Sequence, residues 1–182
     1  PPTGQAYTKT TYNTYNNSNE QAVVLGNNVT MQDTVTATGQ IVSDPASKVA
    51  LNGDVTSTAG IGTVTTEQFD ASNTQTGKTV IDSMDDSVSG GIILGETTAG
   101  AVTLKTEGGN ISLGDNSVLD GTTVSAESAD LNKTVYSNDG GSWNTVASTE
   151  KLGTIEGSVT LGENTTVKGN STLTADDNIA IG

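Results

Sequence analysis

The chain has no cysteine and no histidine, and none of its seven basic residues is an arginine. Without cysteine there are no disulfide staples and no thiolate chemistry. Without histidine the commonest general base and metal ligand is gone. Seven lysines face 21 acidic residues, for a net charge of −14 over 182 residues. That balance cannot neutralise a row of phosphates, which excludes nucleic acid as a partner and an anionic membrane surface with it. No apolar run approaches the roughly 20 residues of a membrane-spanning helix, and no signal peptide is recognisable. The opening Pro1-Pro2, without Met, reads as a processed protein or a piece of a longer one. Acidity, Thr/Asn richness and missing cysteine together point to an extracellular, cell-surface protein of a prokaryote.

Apolar content is low at 32%, yet Val, Ile and Leu arrive in short alternating runs rather than scattered. The motif [Val/Ile]-x-[Leu/Ile]-Gly recurs as Val23–Gly26, Ile92–Gly95, Ile111–Gly114, Val159–Gly162 and Ile179–Gly182. Leu94 and Leu113 are 19 residues apart, Leu161 and Ile181 are 20, and Leu113 to Leu161 spans 48, one repeat plus an insertion. A period near 20 built of short strands and Gly/Asn turns predicts an all-β fold, a parallel β-helix (β-solenoid) whose rungs stack on one another. Allowing for insertions, roughly seven to nine rungs at about 4.8 Å each are expected. The last residues restart the motif, so an open rung edge is expected there.

Along the chain, 1–20 is a polar tail whose large groups are Tyr7, Tyr12 and Tyr15. It either caps its own first rung or lies along a neighbouring molecule as an added strand. Residues 21–182 form the solenoid, interrupted by insertions at 61–90 and 127–157. All six aromatics lie in the tail or the insertions, and the rungs are left to aliphatic residues and Thr. No segment reads as a helix.

The stretches GAVTLKTEGGNISLGDNSVLDGTTVSA and GSVTLGENTTVKGNSTLTADDNIAIG resemble the rungs of bacterial secreted adhesins of the filamentous-haemagglutinin and autotransporter-passenger class. The resemblance covers about half the chain (21–60, 91–126, 158–182). It implies a right-handed parallel β-helix and a role in surface display, adhesion or fibre building, and it brings no catalytic residues.

Several groups are candidates for chemistry. The carboxylate pairs Asp176-Asp177 and Asp85-Asp86, with Asp115 and Asp120, have the oxygen-rich character that suits Ca²⁺, although no calcium-loop motif is present; solvated turn residues are the plainer reading. Two carboxylates suffice for glycoside hydrolysis, but an acidic polysaccharide would meet a strongly negative chain lacking Arg. A threonine array suggests ice binding: Thr36 and Thr38 lie 11 and 13 residues after Leu25, and Thr172 and Thr174 after Leu161. At those offsets the other repeats carry Val124 and Ala126, or Lys105 and Glu107, which interrupt it. Tyr136 and Trp143 would anchor a glycan or protein, or plug an insertion against the solenoid.

The reading favoured by the sequence is a non-enzymatic structural subunit of an extracellular filament. Copies would join head to tail through the solenoid ends, with Ile179 and Ile181 at one interface and Tyr7, Tyr12 and Tyr15 of the docked tail at the other. The alternative is a monomeric adhesin or passenger fragment that binds a host or matrix glycan or protein through the insertion loops. An ice-binding protein or a polysaccharide-degrading enzyme is more distant.

Overall fold

The computed structural model describes residues 4–13 and 21–182, with Gln21 and residues 84–88 described by their backbone alone. The described chain is all-β: strands joined by turns, with no helix among the described residues. It divides into two compact units.

The larger unit comprises 17–60, 88–129 and 154–182. Its strands fall into three parallel sheets that the chain visits in a fixed cycle. The first circuit runs through β2 (Gln21–Leu25), β3 (Val29–Met31) and β4 (Val35–Thr38), and the second through β5 (Gln40–Ser43), β6 (Lys48–Leu51) and β7 (Val55–Thr58). The third is β10 (Gly90–Leu94), β11 (Glu96–Ala99) and β12 (Thr103–Glu107), and the fourth β13 (Gly109–Leu113), β14 (Val118–Asp120) and β15 (Thr123–Glu127). The fifth is β18 (Val159–Leu161), β19 (Thr166–Lys168) and β20 (Thr172–Ala175), and β21 (Ile179–Ile181) re-enters the first sheet. The described strands make five such circuits, fewer than the seven to nine expected.

Each sheet adds one strand per circuit in register, which turns the sequence repeat into columns of like side chains. In the first sheet Ile41, Ile92, Ile111, Val159 and Ile179 are successive partners. Leu94, Leu113, Leu161 and Ile181 form a second column beside them. Leu51, Ala99, Leu119 and Val167 align in the second sheet, and Val55, Leu104, Val124 and Leu173 in the third. From Ile41 to Val159 the first of these columns is wholly buried, as are Leu104, Leu119 and Val124. Burying a side chain of this size stabilises by about 1.5–3 kcal/mol, so the columns are the main source of stability in the unit.

The corners explain the motif's glycine. A Cβ on Gly114 would lie 2.7 Å from the carbonyl carbon of Gly95 in the circuit before it, and those on Gly95 and Gly162 would come closer still to backbone of the preceding circuit. Adjacent turns of chain pass too near at this corner to admit a side chain. Two residues later Asn28, Asn116 and Asn164 take left-handed φ of 55–61°, a conformation Asn tolerates better than other side chains. A buried hydroxyl then closes the corner: Ser117 Oγ donates to the Gly114 carbonyl (2.7 Å) and accepts from the Thr97 amide (2.9 Å). Ser47 Oγ donates likewise to Gly26 (2.9 Å).

The smaller unit comprises 1–16, 61–87 and 130–153. It carries the described tail and most of both insertions in one antiparallel sheet, ordered β1 (Tyr7–Asn13), β8 (Gly60–Phe69), β9 (Gln75–Val88), β16 (Ala129–Asp139) and β17 (Ser142–Ile155). Asp70 closes the β8–β9 turn, its Oδ1 accepting from the Ser72 and Thr74 amides at 2.9 Å each. The β16–β17 turn is Gly140-Gly141, both at positive φ (62° and 94°), the geometry of a two-residue hairpin whose twist matches its strands. The segments that read as insertions are therefore long hairpins. Seven residues of the tail pair with the first of them, a placement that neither reading of the tail anticipates.

Candidate functional site

The proposed calcium carboxylates serve as staples between circuits. Asp176 Oδ2 accepts from the Ser128 amide (2.9 Å) and the Ser128 hydroxyl (3.2 Å), and Asp177 Oδ2 accepts from the Gly157 amide (2.8 Å). Asp115 Oδ1 takes the Glu163 amide (2.7 Å) and Asp54 Oδ1 the Thr103 amide (2.8 Å) in the same fashion. These bonds satisfy main-chain donors that the corners leave outside the sheets. Asp85 and Asp86 lie on β9, and their side chains are outside the described part of the structure. Among the described residues no group of three acidic, His or Cys side chains is placed to hold a metal ion.

On the outer face of the third sheet one row runs Thr36, Thr56, Lys105, Ser125, Thr174 and the next Thr38, Thr58, Glu107, Glu127. Val124 and Ala126, which constant offsets would put on this face, point into the core instead. The corner between β13 and β14 is one residue longer in register than the one between β10 and β11, and a one-residue slip exchanges the faces. Lys105 Nζ lies 3.1 Å from Glu107 and 3.8 Å from Glu127. Its pKa is raised, first by the hydrogen bond to Glu107 and then by the charges of Glu127 and Glu107. Charged side chains thus occupy two circuits of the face that ice binding would need flat and uncharged.

The residues expected at interfaces fall in both units. Ile179 and Ile181 continue the inward columns of the first sheet but are 44% and 60% exposed, with no further circuit beyond them among the described residues. Exposed Val24 on β2 and Val167 on β19 are apolar edge positions that the sequence reading missed. Val167 stands between polar Thr166 and Lys168, an alternation that would have found it, whereas Val24 is hidden in the continuous apolar run Ala22–Leu25. An open depression of about 530 Å³ lies over the second sheet between Asn28, Lys48, Glu96 and Thr98.

In the antiparallel unit Tyr7 stacks on Phe69 with ring centroids 4.8 Å apart and planes within 9°, and its hydroxyl donates to Asn73 Oδ1. Tyr12 stands opposite Val64 and is 70% exposed. Tyr15 lies outside the described residues. Tyr136 carries the Lys78 ammonium 4.7 Å from its ring centroid, while Trp143 follows the Gly140-Gly141 turn and is half-buried. Phe69, Asn73 and Lys78 went unrecognised because their partners are far away in sequence.

No protein-family model, curated protein or solved structure matches this chain.

Proposed function

We propose that the three parallel sheets are the walls of a β-solenoid, and that the chain is a non-enzymatic structural subunit of an extracellular filament or surface fibre, joined end to end with copies of itself. The observation that carries this reading is the pair of sheet edges in the larger unit that no other described strand covers. At one, Ile179 and Ile181 prolong columns that are buried in every inner circuit; at the other, Val23 and Leu25 hold the inward positions and are only half-buried. Such an edge presents free N–H and C=O groups with apolar side chains at the spacing of the circuit beneath, so it is a template for another circuit of the same kind. The two edges differ, and a contact between unlike surfaces propagates into an open filament when its rotation does not close. The net charge of −14 would keep finished fibres apart in solution.

The test is negative-stain electron microscopy of purified protein over a range of concentrations, with and without a calcium chelator. Unbranched fibres that survive chelation are expected. Dispersed particles at every concentration would sink the filament reading.

A second reading, a surface adhesin binding a glycan or protein, is favoured by the concentration of all described aromatics in the antiparallel unit. In that case removing residues 130–153 abolishes binding to cells or matrix; in the filament reading it leaves edge-to-edge stacking of the parallel sheets intact.

A further inference from the structure

Strand β1 is bound in an unusual way. It is the outermost strand of its sheet, with β8 as its neighbour. Six of its seven residues are exposed, so little apolar area holds it in place. The pairing is nonetheless specific over its full length. Tyr7 meets Phe69 in a ring stack, Lys9 stands opposite Glu67, and Tyr12 opposite Val64. Beyond the strand, the Tyr7 hydroxyl reaches Asn73 and the Gly4 amide donates to the Ala71 carbonyl (3.2 Å), both in the turn at the end of β8. The edge of β8 with its turn is therefore a socket that reads one sequence in one register, and the strand filling it gives up little when it leaves.

We propose that β1 is the element passed between copies: β1 of one molecule occupies the β8 edge of the next. This rests on the end-to-end reading and deepens it by naming the receptor for the tail. Exchange of an identical strand keeps every bond of the β1–β8 pairing and costs little for that reason. The Tyr7–Phe69 stack marks the register at one end of the strand, and the exposed ring of Tyr12 gains cover when a second molecule lies alongside.

The absence of cysteine makes the test clean. Thr10 and Thr66 are register partners, as are Thr11 and Thr65. Neighbouring antiparallel pairs alternate between hydrogen-bonded and non-hydrogen-bonded geometry, so one of the double variants, Thr10→Cys/Thr66→Cys or Thr11→Cys/Thr65→Cys, brings its sulfurs within bonding reach. After assembly and mild oxidation, denaturing gels without reductant should show a ladder of covalent oligomers. Thr10→Cys and Thr66→Cys chains mixed before assembly should give the mixed dimer. An internal disulfide in a monomeric chain, or no cross-link in either double variant, overturns strand exchange. Fibres built of internally closed chains would overturn it while leaving the end-to-end reading standing. Covalent dimers that never extend into fibres would support exchange and sink the filament instead.

Discussion

The two units use the same vocabulary of threonine-rich strands and put it to opposite ends. In the parallel unit, every second residue of a strand enters a column shared by all circuits, and Ile92, Leu104, Ile111 and Leu119 lose all contact with solvent. In the antiparallel unit the long strands carry half-buried or exposed residues at most described positions, and β17 leaves Val146 and Leu152 open to water. Burial follows stacking rather than composition. A strand with like strands above and below, and two other sheets across the interior, finds cover for aliphatic groups; a strand in the antiparallel sheet has cover mainly from its hydrogen-bonded neighbours. One unit therefore encloses its aliphatic side chains, and the other leaves aromatic and polar groups open to solvent.

The sharpest way to break that contrast is to cut matched holes. Leu104→Ala should cost about 2–5 kcal/mol, the range for a large-to-small change in a filled core. Val146→Ala, at 54% exposure, should cost under about 0.5 kcal/mol. Chemical denaturation of the two variants measures both. Equal losses would mean that the columns do not carry the stability.

The glycine corners give a second contrast, inside the parallel unit itself. Gly114→Ala forces a methyl against the Gly95 backbone and should destabilise by about 1–3 kcal/mol. Gly26→Ala occupies the equivalent motif position in the first circuit, where nothing lies within 4 Å of the added carbon, and should be nearly neutral in thermal melts of the unassembled protein. If a copy stacks beneath that circuit, Gly26→Ala should instead weaken assembly.

The carboxylate staples rank below these. Asp115→Ala removes the acceptor of the Glu163 amide and should cost about 0.5–1.5 kcal/mol, whereas Asp115→Asn keeps an acceptor oxygen and should lose less. Stability unchanged by added calcium in both variants would agree with a stapling role.

The smallest effect expected is at Lys105. Its pKa is raised above the ordinary 10.5 by Glu107 and Glu127, so its contribution is complete below pH 10.5 and is lost as pH climbs through the raised value. Because the ammonium is solvent-exposed, screening keeps the effect small. Lys105→Met should melt slightly below the parent at neutral pH, and the difference should close above the lysine range.

Much of the parallel unit is legible in the sequence because its geometry repeats. The 19-residue spacing of Leu94 and Leu113 and the 20-residue spacing of Leu161 and Ile181 are the register pairs of the first sheet, and the 48-residue interval is the pair Leu113–Leu161 with a hairpin between. The second circuit hides because Ser43 takes the place of the motif's Leu and Asp44 that of its Gly. Corners of unequal length blur the outer rows, which is why Val124 passes for a surface residue. The antiparallel unit is hardly legible at all. Its strands alternate without an apolar face, and its defining pair joins Tyr7 to Phe69 across more than 60 residues, a contact that no local pattern announces.

The account turns on the parallel sheets being wound into a solenoid that stacks end to end, and X-ray fibre diffraction from aligned assemblies addresses this most directly. Stacked circuits place the inter-strand spacing of about 4.8 Å along the fibre, so a strong reflection at that spacing on the fibre axis is the expected result. Fibres whose 4.8 Å reflection lies across the axis would contradict end-to-end stacking.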